Sequence, residues 1–500
     1  MIDHRMAVDR RAFLIAGGTL GLGLAGGVGA AAAVRPLDPV LADLHRRTFR
    51  YFWDTAHPVT GLAPDNWPSP RFASIAATGF ALTAYCIGAA SGYVARGEAA
   101  RRALTTLATF ARGRQGPEPT GAIGHKGFFY HFLDLGGATR FDRCELSSVD
   151  TALLLGGALT AAGYFDRDDP VEAEVRRVAL RLYEGVDWTF MARDNGLVSM
   201  GWHPEPGMRD HDARGLIDRN WDRYNEGMLI YLLGLASPTH PLPPHAWASW
   251  SATIGASWRS DFGEPRLGFS PMFGHQYSHG WYDFRGIGDP YMRGKGIDYF
   301  INSQRATAAQ QAYAIANPGG FVGYGRDCWG LTACQGPADA TGAVRGRPVL
   351  FREYGARGIQ DGDGESFDDG TIAPTAAIGS VMFRPDLGVP LIHALRARYG
   401  VAIYRDYGFV DAFNPSFPAD MPSKTGTRDA RAGWVCGEYL GIDQGPILIG
   451  LENHRSGAVW DWFCRSAATG PVIRRGFRAA GFRPVAAAGA WLDHPRGTPA

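Results

Sequence analysis

An all-α ring of helical hairpins, an (α/α)6 toroid with long loops gathered at one end, is the fold that the sequence predicts. Three observations predict it. Apolar residues recur every three to four positions through most of the chain, strand-like alternation is scarce, and short connections alternate with long ones rich in Gly, Pro, Asp and aromatic residues.

In chain order, the spacing of Leu41, Leu44, Thr48 and Phe52 predicts a first amphipathic helix, and Val171, Val175, Val178, Leu182, Val186 and Phe190 predict another more cleanly. Further helices are expected over residues 74–91, 99–112, 147–164, 224–235, 246–258, 299–316, 374–381, 387–399 and 446–467. The stretches 113–143, 195–221, 262–298, 317–370 and 404–443 read as loops, and loops this long in a compact domain are usually functional. No linker-like stretch divides residues 35–500, which read as one domain with its core over about 45–470.

Residues 1–34 read as a twin-arginine export signal: Arg10-Arg11 followed by Phe13-Leu14, a weakly hydrophobic Gly/Ala-rich run, and small residues near Ala31 to Ala33. A retained membrane anchor is the alternative, but so Gly-rich a run is a poor span. Export implies a periplasmic or secreted protein, free of the membrane after cleavage. The six cysteines match no zinc pattern; Cys328 and Cys334 either pair or stay as buried thiols.

A formal charge of +1, with both signs interspersed, offers no footprint for nucleic acid or an anionic membrane. A neutral polymer suits it better, and 14 Trp, several beside Asp, Glu, His or Asn in loops, favour carbohydrate. A monomer without cofactor or metal is expected.

The segment Trp221-Asp-Arg-Tyr224-Asn-Glu226-Gly-Met-Leu-Ile-Tyr231 places a carboxylate between aromatic rings at the head of an apolar run. Rings stack on a pyranose, and an acid in an apolar setting keeps its proton for a glycosidic oxygen. In Glu145-Leu-Ser-Ser-Val-Asp150, a serine caps a helix, and Glu145 and Asp150 stand either as plain capping acids or at a cleft rim. His240, His275, Tyr277, His279, Asp283 and Arg285 bring polar groups into loops without metal-ligand spacing, although Asp283 and Arg285 could simply pair. Residues 361–369 form an acidic run that lacks the full calcium-loop pattern and reads as a loop over the cleft. Asp411 lies in Tyr407-Gly-Phe-Val-Asp-Ala-Phe-Asn414; Asp443 precedes a helix, and Glu452, deeper within it, needs a partner or a function.

These motifs, together with Arg47-Thr-Phe-Arg-Tyr-Phe-Trp53, Trp329-Gly-Leu-Thr-Ala333 and Asp369-Gly-Thr-Ile-Ala-Pro-Thr375, follow an order that resembles the bacterial glucoamylase-like family, whose characterised enzymes include endo-β-1,2-glucanases and sophorose-releasing exo-acting relatives. The resemblance implies the same toroid and an inverting glycoside hydrolase in which Glu226 is the general acid. For the base it offers Asp411 first and Asp150 second, with Glu145 behind them. Trp202, His203, Trp221, Tyr224, His240, His275, Tyr277, Asp283, Asn302, Asp443 and Glu452 are then expected to bind substrate in one cleft. A Gly/Arg-rich insertion over 338–357 departs from the family pattern and is expected to reshape one end of that cleft. A polysaccharide lyase and a non-catalytic glycan-binding protein are the competing classes.

Overall fold

Asp38 opens the first helix, α1 (Pro39–Thr55), by accepting hydrogen bonds from the amides of Val40 and Leu41, with Pro39 in the first turn where it costs no hydrogen bond. The computed structural model describes residues 35–360 and 367–493. The export signal and the first part of the acidic run lie outside the described residues. Asp368 and Asp369, which end that run, are engaged internally: Asp368 accepts from Tyr313 and Tyr324, and Asp369 pairs with Arg357.

Helices alternate in two layers among the described residues. The inner layer is α2 (Ile75–Ala90), α4 (Ser148–Tyr164), α6 (Met228–Ala236), α8 (Phe273–Trp281), α10 (Pro374–Ile378, continued as a 3-10 turn) and α12 (Gly441–Arg455). Around it lie α1, α3 (Arg96–Arg112), α5 (Pro170–Glu184), α9 (Tyr299–Ala316), α11 (Pro385–Tyr399) and α13 (Gly470–Ala479), with the short α7 (Ala246–Thr253) beside α6. Helix α2 packs between α4 and α12, α6 lies against α4, and α8 and α10 lie against α12.

Composition explains the layering. Residues 75–88 of α2 and nearly all of α4 are buried, as befits helices apolar all round, whereas α5 buries only one stripe including Val175, Val178, Leu182 and Tyr183. Where α2 and α4 meet, Gly79 and Gly157 let the backbones touch: a Cβ on Gly157 would stand 1.9 Å from the carbonyl oxygen of Gly79.

The boundaries depart from expectation in informative places. Helix α6 starts at Met228, so Trp221 to Glu226 form a turn ahead of it. The His-rich stretch expected as loop is helix α8, hidden because a fully buried inner helix shows no apolar stripe against a polar face. The last predicted helix, 446–467, divides into α12, which begins five residues early and carries Pro446, and a short helical segment over residues 458–465; α13 lies beyond the expected range. Strands are two to five residues long and decorate the loops, among them a four-stranded sheet of Gly124–His125, Phe128–Tyr130, Leu146–Ser147 and Gly201–Trp202 and a hairpin of Ala340–Val344 with Arg347–Phe351. All six cysteines carry free thiols.

Long loops lead into the N-termini of the inner helices, and those entries carry the polar groups described next.

Candidate active site

Ser147 ends a strand and caps α4, accepting from the amide of Asp150 at 3.2 Å while its hydroxyl donates to the Asp150 carboxylate. The small sheet brings His131 alongside, its amide donating to the Glu145 carbonyl. The imidazole then lies between two acids, Nδ1 at 2.7 Å from Glu145 and Nε2 at 3.6 Å from Asp150. Burial disfavours its charged form, yet Asp150 and Glu145, with Asp65 beyond, outweigh burial and raise it to about 9. Burial likewise opposes charge on Glu145, but the bond from His131 wins and holds it at about 2, while Asp150 stays above the ordinary carboxylate range because its burial dominates.

Trp221 donates from its indole nitrogen to Ser148 at 2.9 Å and packs over the turn carrying Glu226: a Cβ on Gly227 would stand 3.1 Å from the Cβ of Trp221. Glu226 is only 7 % exposed, and its Oε2 has no partner. Burial pushes it up to about 7, its own amide offsets part of this, and the charge of Asp150 adds to the rise.

A second group of acids comes from the other side of the ring. Asp411 accepts from the Gln335 amide at 2.8 Å, its own amide donates to the Glu438 carbonyl, and its carboxyl interacts with that of Asp443 in the first turn of α12. Burial lifts both, Asp443 well above its usual range with the Asp411 charge adding to the effect. Glu438 accepts from Asn66 and from the Gln335 side chain. Asp65, half-buried in the loop before α2, is pushed up to about 6 by burial, with His131 opposing and Asp150, Asp411 and Glu438 reinforcing. It feels both groups of acids. So does Tyr277: burial first, then Asp443, Tyr354, Glu226 and Asp150 raise its phenol well above the usual range. Tyr277 therefore stands between the two walls.

Tyr354 completes this side. It pairs in register with Gln335, the residue is 54 % exposed, and burial of its phenol end with the charges of Asp443, Asp411 and Asp65 raises its pKa. Behind it Arg357 forms a fully buried bidentate pair with Asp369.

Of the expected binding residues, Trp202, His203, Trp221, Tyr277 and Asp443 adjoin these acids. Trp202 is opposite Leu146 in the sheet and stacks on His125, and His203, bonded to His211 at 2.8 Å, lies near Glu145. The others fall elsewhere. Tyr224 and His275 pack against each other at a tilt, and Tyr224 stacks on Tyr299, so these rings back the Glu226 turn toward α9. His275, held neutral by burial and by Arg266, faces the α8–α9 interior beside Ala306 and Gln310. Asn302 bonds both backbone groups of Leu267, a structural tie between α9 and its neighbouring loop. Asp283, past the C-terminal end of α8, is fully buried between Arg285 and Arg465. Glu452, near the C-terminal end of α12, is paired with His45 and Arg455. His240 lies beyond the C-terminus of α6, roughly 13 Å of helix from Glu226 at the usual rise, and lines a 420 Å³ surface cavity with Gln115, Lys126 and Arg181.

The sequence reading passed over Asp65, Asn66, His131, Gln335, Tyr354 and Glu438. Asp65-Asn66-Trp67, an acid beside a Trp in a turn, was the available signal for the first two; nothing in the local spacing marks the others. His131, Glu145 and Asp150 offer ligand atoms within 4.8 Å of one another, the one such set among the described residues. The imidazole already bonds Glu145 and faces Asp150, so the set is an internally compensated ion triad, and a cation would have to displace that histidine.

The family model described as "Putative glucoamylase" matches residues 218–467. An exo β-1,2-glucooligosaccharide sophorohydrolase (non-reducing end) of Parabacteroides distasonis is 27 % identical over 451 residues, covering 85 % of this chain and 56 % of that protein. The chain thus spans little more than half the length of that relative. Among solved structures, a glucoamylase-like protein of Bacteroides uniformis superposes with a TM-score of 0.73 at 28 % identity, covering 89 % of this chain and 97 % of the other. The endo-β-1,2-glucanase of Chitinophaga pinensis, solved with sophorotriose and glucose, gives 0.70 at 24 % identity over 89 % and 98 %. These likenesses establish the (α/α)6 fold.

Proposed function

The chain belongs to the glucoamylase-like family, and from that premise we propose that it is a glycoside hydrolase cleaving β-1,2-linked glucan by single displacement with inversion. The observation that carries the proposal is Glu226: a buried carboxyl with an unpartnered oxygen, holding its proton near neutral pH, in reach of the same tyrosine as the Asp411–Asp443 pair. The linkage rests on the relatives, which act on β-1,2-glucan or its oligosaccharides.

In this reading Glu226 gives its proton to the glycosidic oxygen, whose bond to the anomeric carbon breaks and leaves its electron pair on that oxygen. Water attacks the opposite face of the sugar and loses its proton to Asp411. Asp443 keeps the proton of the pair, so Asp411 is the ionised member, and its unpartnered Oδ1 is the accepting atom. Asp150 is the second candidate base and otherwise a fixed negative charge beside the oxocarbenium-like transition state. Trp221 and Tyr354 offer rings to the sugars. Asp65, Glu145 and Asp150 around one imidazole, with Asp411 and Glu438 in the second group, make this an acidic site, the opposite of what a lyase needs to neutralise a uronate.

Incubation with linear β-1,2-, β-1,3-, β-1,4- and α-1,4-glucans tests the proposal. Cleavage of the β-1,2 chain with an α-configured first product is expected; cleavage of only another linkage, or a β-configured first product by NMR, overturns it.

Export rests on Arg10-Arg11 and the run behind them. On that ground the enzyme is proposed to work as a monomer in the periplasm or outside the cell, with no metal or cofactor. Among the described residues no helix is long and apolar enough to cross a membrane. Replacing both arginines by lysine should hold the protein in the cytoplasmic fraction, and unchanged export would remove this part of the reading.

A further inference from the structure

We infer that His131 is a positioning residue: its imidazolium, lodged between Glu145 and Asp150, keeps Asp150 ionised and aimed beside the reacting sugar. The inference rests on the reading of the site as a glycosidase and adds to it a residue that neither the family model nor the relatives assign.

The geometry is specific. Asp150 sits in the first turn of an inner helix with one carboxylate oxygen taken by Ser147 and the other facing Nε2 of His131, while Glu145 accepts at Nδ1. An imidazole with one acid at hydrogen-bond distance from Nδ1 and a second at ion-pair distance from Nε2 favours the cationic form. Its ring stacks on Phe132 with centroids 3.9 Å apart, and its backbone ties three elements, the amide to Glu145 and the carbonyl to Ile75 at the head of α2. The ring is thus fixed in place and orientation by the same loops that form the cleft.

Without that cation Asp150 would be a buried carboxyl close to Glu145, Asp65 and Glu226, all acids, and would take up a proton as the least costly state. The remaining groups facing this cluster do not supply a substitute charge. Tyr277 is neutral, Cys144 keeps its proton, and His203, beside Glu145, is held below the ordinary imidazole range by burial and by His211. His131 is therefore the cation on which the negative charge of Asp150 depends.

The test is His131→Gln, which retains a donor and removes the charge. Removing a cation at this range raises a neighbouring carboxylate by about 1–3 pH units, so the acidic limb of the kcat–pH profile should move up by that amount, with KM for β-1,2-glucan oligomers little changed. An acidic limb unmoved, with kcat lowered equally at every pH, would mean a merely structural role and overturn the inference. A second measurement needs no turnover and serves if that variant fails to fold. Histidine ring NMR of the wild-type protein, with His131 assigned by comparison with Asp150→Asn, should show a ring still protonated at pH 8 that loses its proton at lower pH in the variant. A ring neutral at pH 7 in the wild type overturns the inference. If the protein cleaves no β-1,2-glucan, the reading of its function falls while the ring measurement still decides whether His131 carries the charge.

Discussion

Asp411 and Asp443, brought from the loop between Gly408–Phe409 and Phe413–Asn414 and from the first turn of α12, direct their buried carboxyls at each other, and each leaves one oxygen without a protein partner. Two acids so close do not both ionise at neutral pH, and a pair of this kind titrates as a unit. Asp411 is the member with a fixed donor, the Gln335 amide, which favours its charged form, while Asp443 feels the Asp411 charge and holds the proton.

The first prediction follows from that asymmetry. Asp443→Asn imitates the protonated member and should keep most of kcat, whereas Asp411→Asn removes the proposed base and should lower kcat by roughly 10²–10⁴. The acidic limb of Asp443→Asn should stay near that of wild type, because the amide can donate to Asp411 as the protonated Asp443 does. Steady-state rates on β-1,2-glucan across pH 4 to 9 check both. Equal losses in the two variants would remove Asp411 from the role of base.

Glu226 gives a prediction in two currencies. As an acid whose folded pKa is raised to about 7, it must be protonated to act, so kcat should fall as pH rises through that value. The same shift acts on stability with a definite sign. Between its unfolded pKa and 7 the folded state binds the proton more tightly, so stability drops as pH rises across that window, by about 3 kcal/mol at about 1.4 kcal/mol per unit. Glu226→Gln should therefore lose roughly 10²–10⁴ in kcat yet melt higher than wild type, by a margin that grows from pH 4.5 to 7. Calorimetry of the two proteins at both pH values decides it, and a variant that melts lower at pH 7 refutes the account.

Asp283 and Glu452, expected in the cleft and found as buried ion pairs, invite the opposite experiment. Arginines hold Asp283, and His45 and Arg455 hold Glu452, below the ordinary carboxylate range against the effect of burial. Such groups contribute stability that is present above their unfolded pKa near 4 and is lost as pH falls through the lower folded value. Asp283→Asn or Glu452→Gln should each cost about 3–5 kcal/mol at pH 7, the usual cost of stranding a buried charge, and leave kcat of the folded protein unchanged. Denaturant melts alongside rates on glucan check this; a large fall in kcat without loss of stability would return the residue to the site.

The contrast between Glu226 and these two residues shows what the sequence made legible. Glu145 and Glu226 lie just ahead of inner helices and Asp150 and Asp443 in first turns, while Asp411 lies in the loop between Gly408–Phe409 and Phe413–Asn414; an aromatic or capping neighbour marks each of them. Asp283, Glu452 and His240 look alike in one dimension but lie at or past the C-terminal ends of inner helices, and only the direction in which each hairpin runs separates the two sets. Asp65 and His131 were missed for a related reason. Their role comes from approach to Asp150 and Asp411, residues far away in sequence, and no local period records such an approach. Helix α5 is legible because one buried stripe leaves a period to read, and α8 is not because it has none, while α13 lies beyond the last range expected as helix.

The last prediction concerns the insertion over 338–357, which the structure forms into the hairpin Ala340–Val344 and Arg347–Phe351 followed by the strand bearing Tyr354. That strand pairs with the one carrying Gln335, so the ring of Tyr354 is tied through a single ladder to the residue whose amide holds Asp411 and whose side chain holds Glu438. An exposed ring fixed over the acids is a stacking platform for a sugar next to the cleaved bond. Tyr354→Ala should then raise KM for long β-1,2-glucan and leave the acidic and basic limbs of the pH profile in place, and Tyr354→Phe, which keeps the face, should restore most of the affinity. If the platform also blocks one end of the cleft, the wild type releases a single disaccharide from the first minutes, and Tyr354→Ala broadens the early products to mixed oligomers. Mixed oligomers already from wild type would mean that the hairpin leaves the cleft open, and a KM unchanged in Tyr354→Ala would remove the ring from substrate binding altogether.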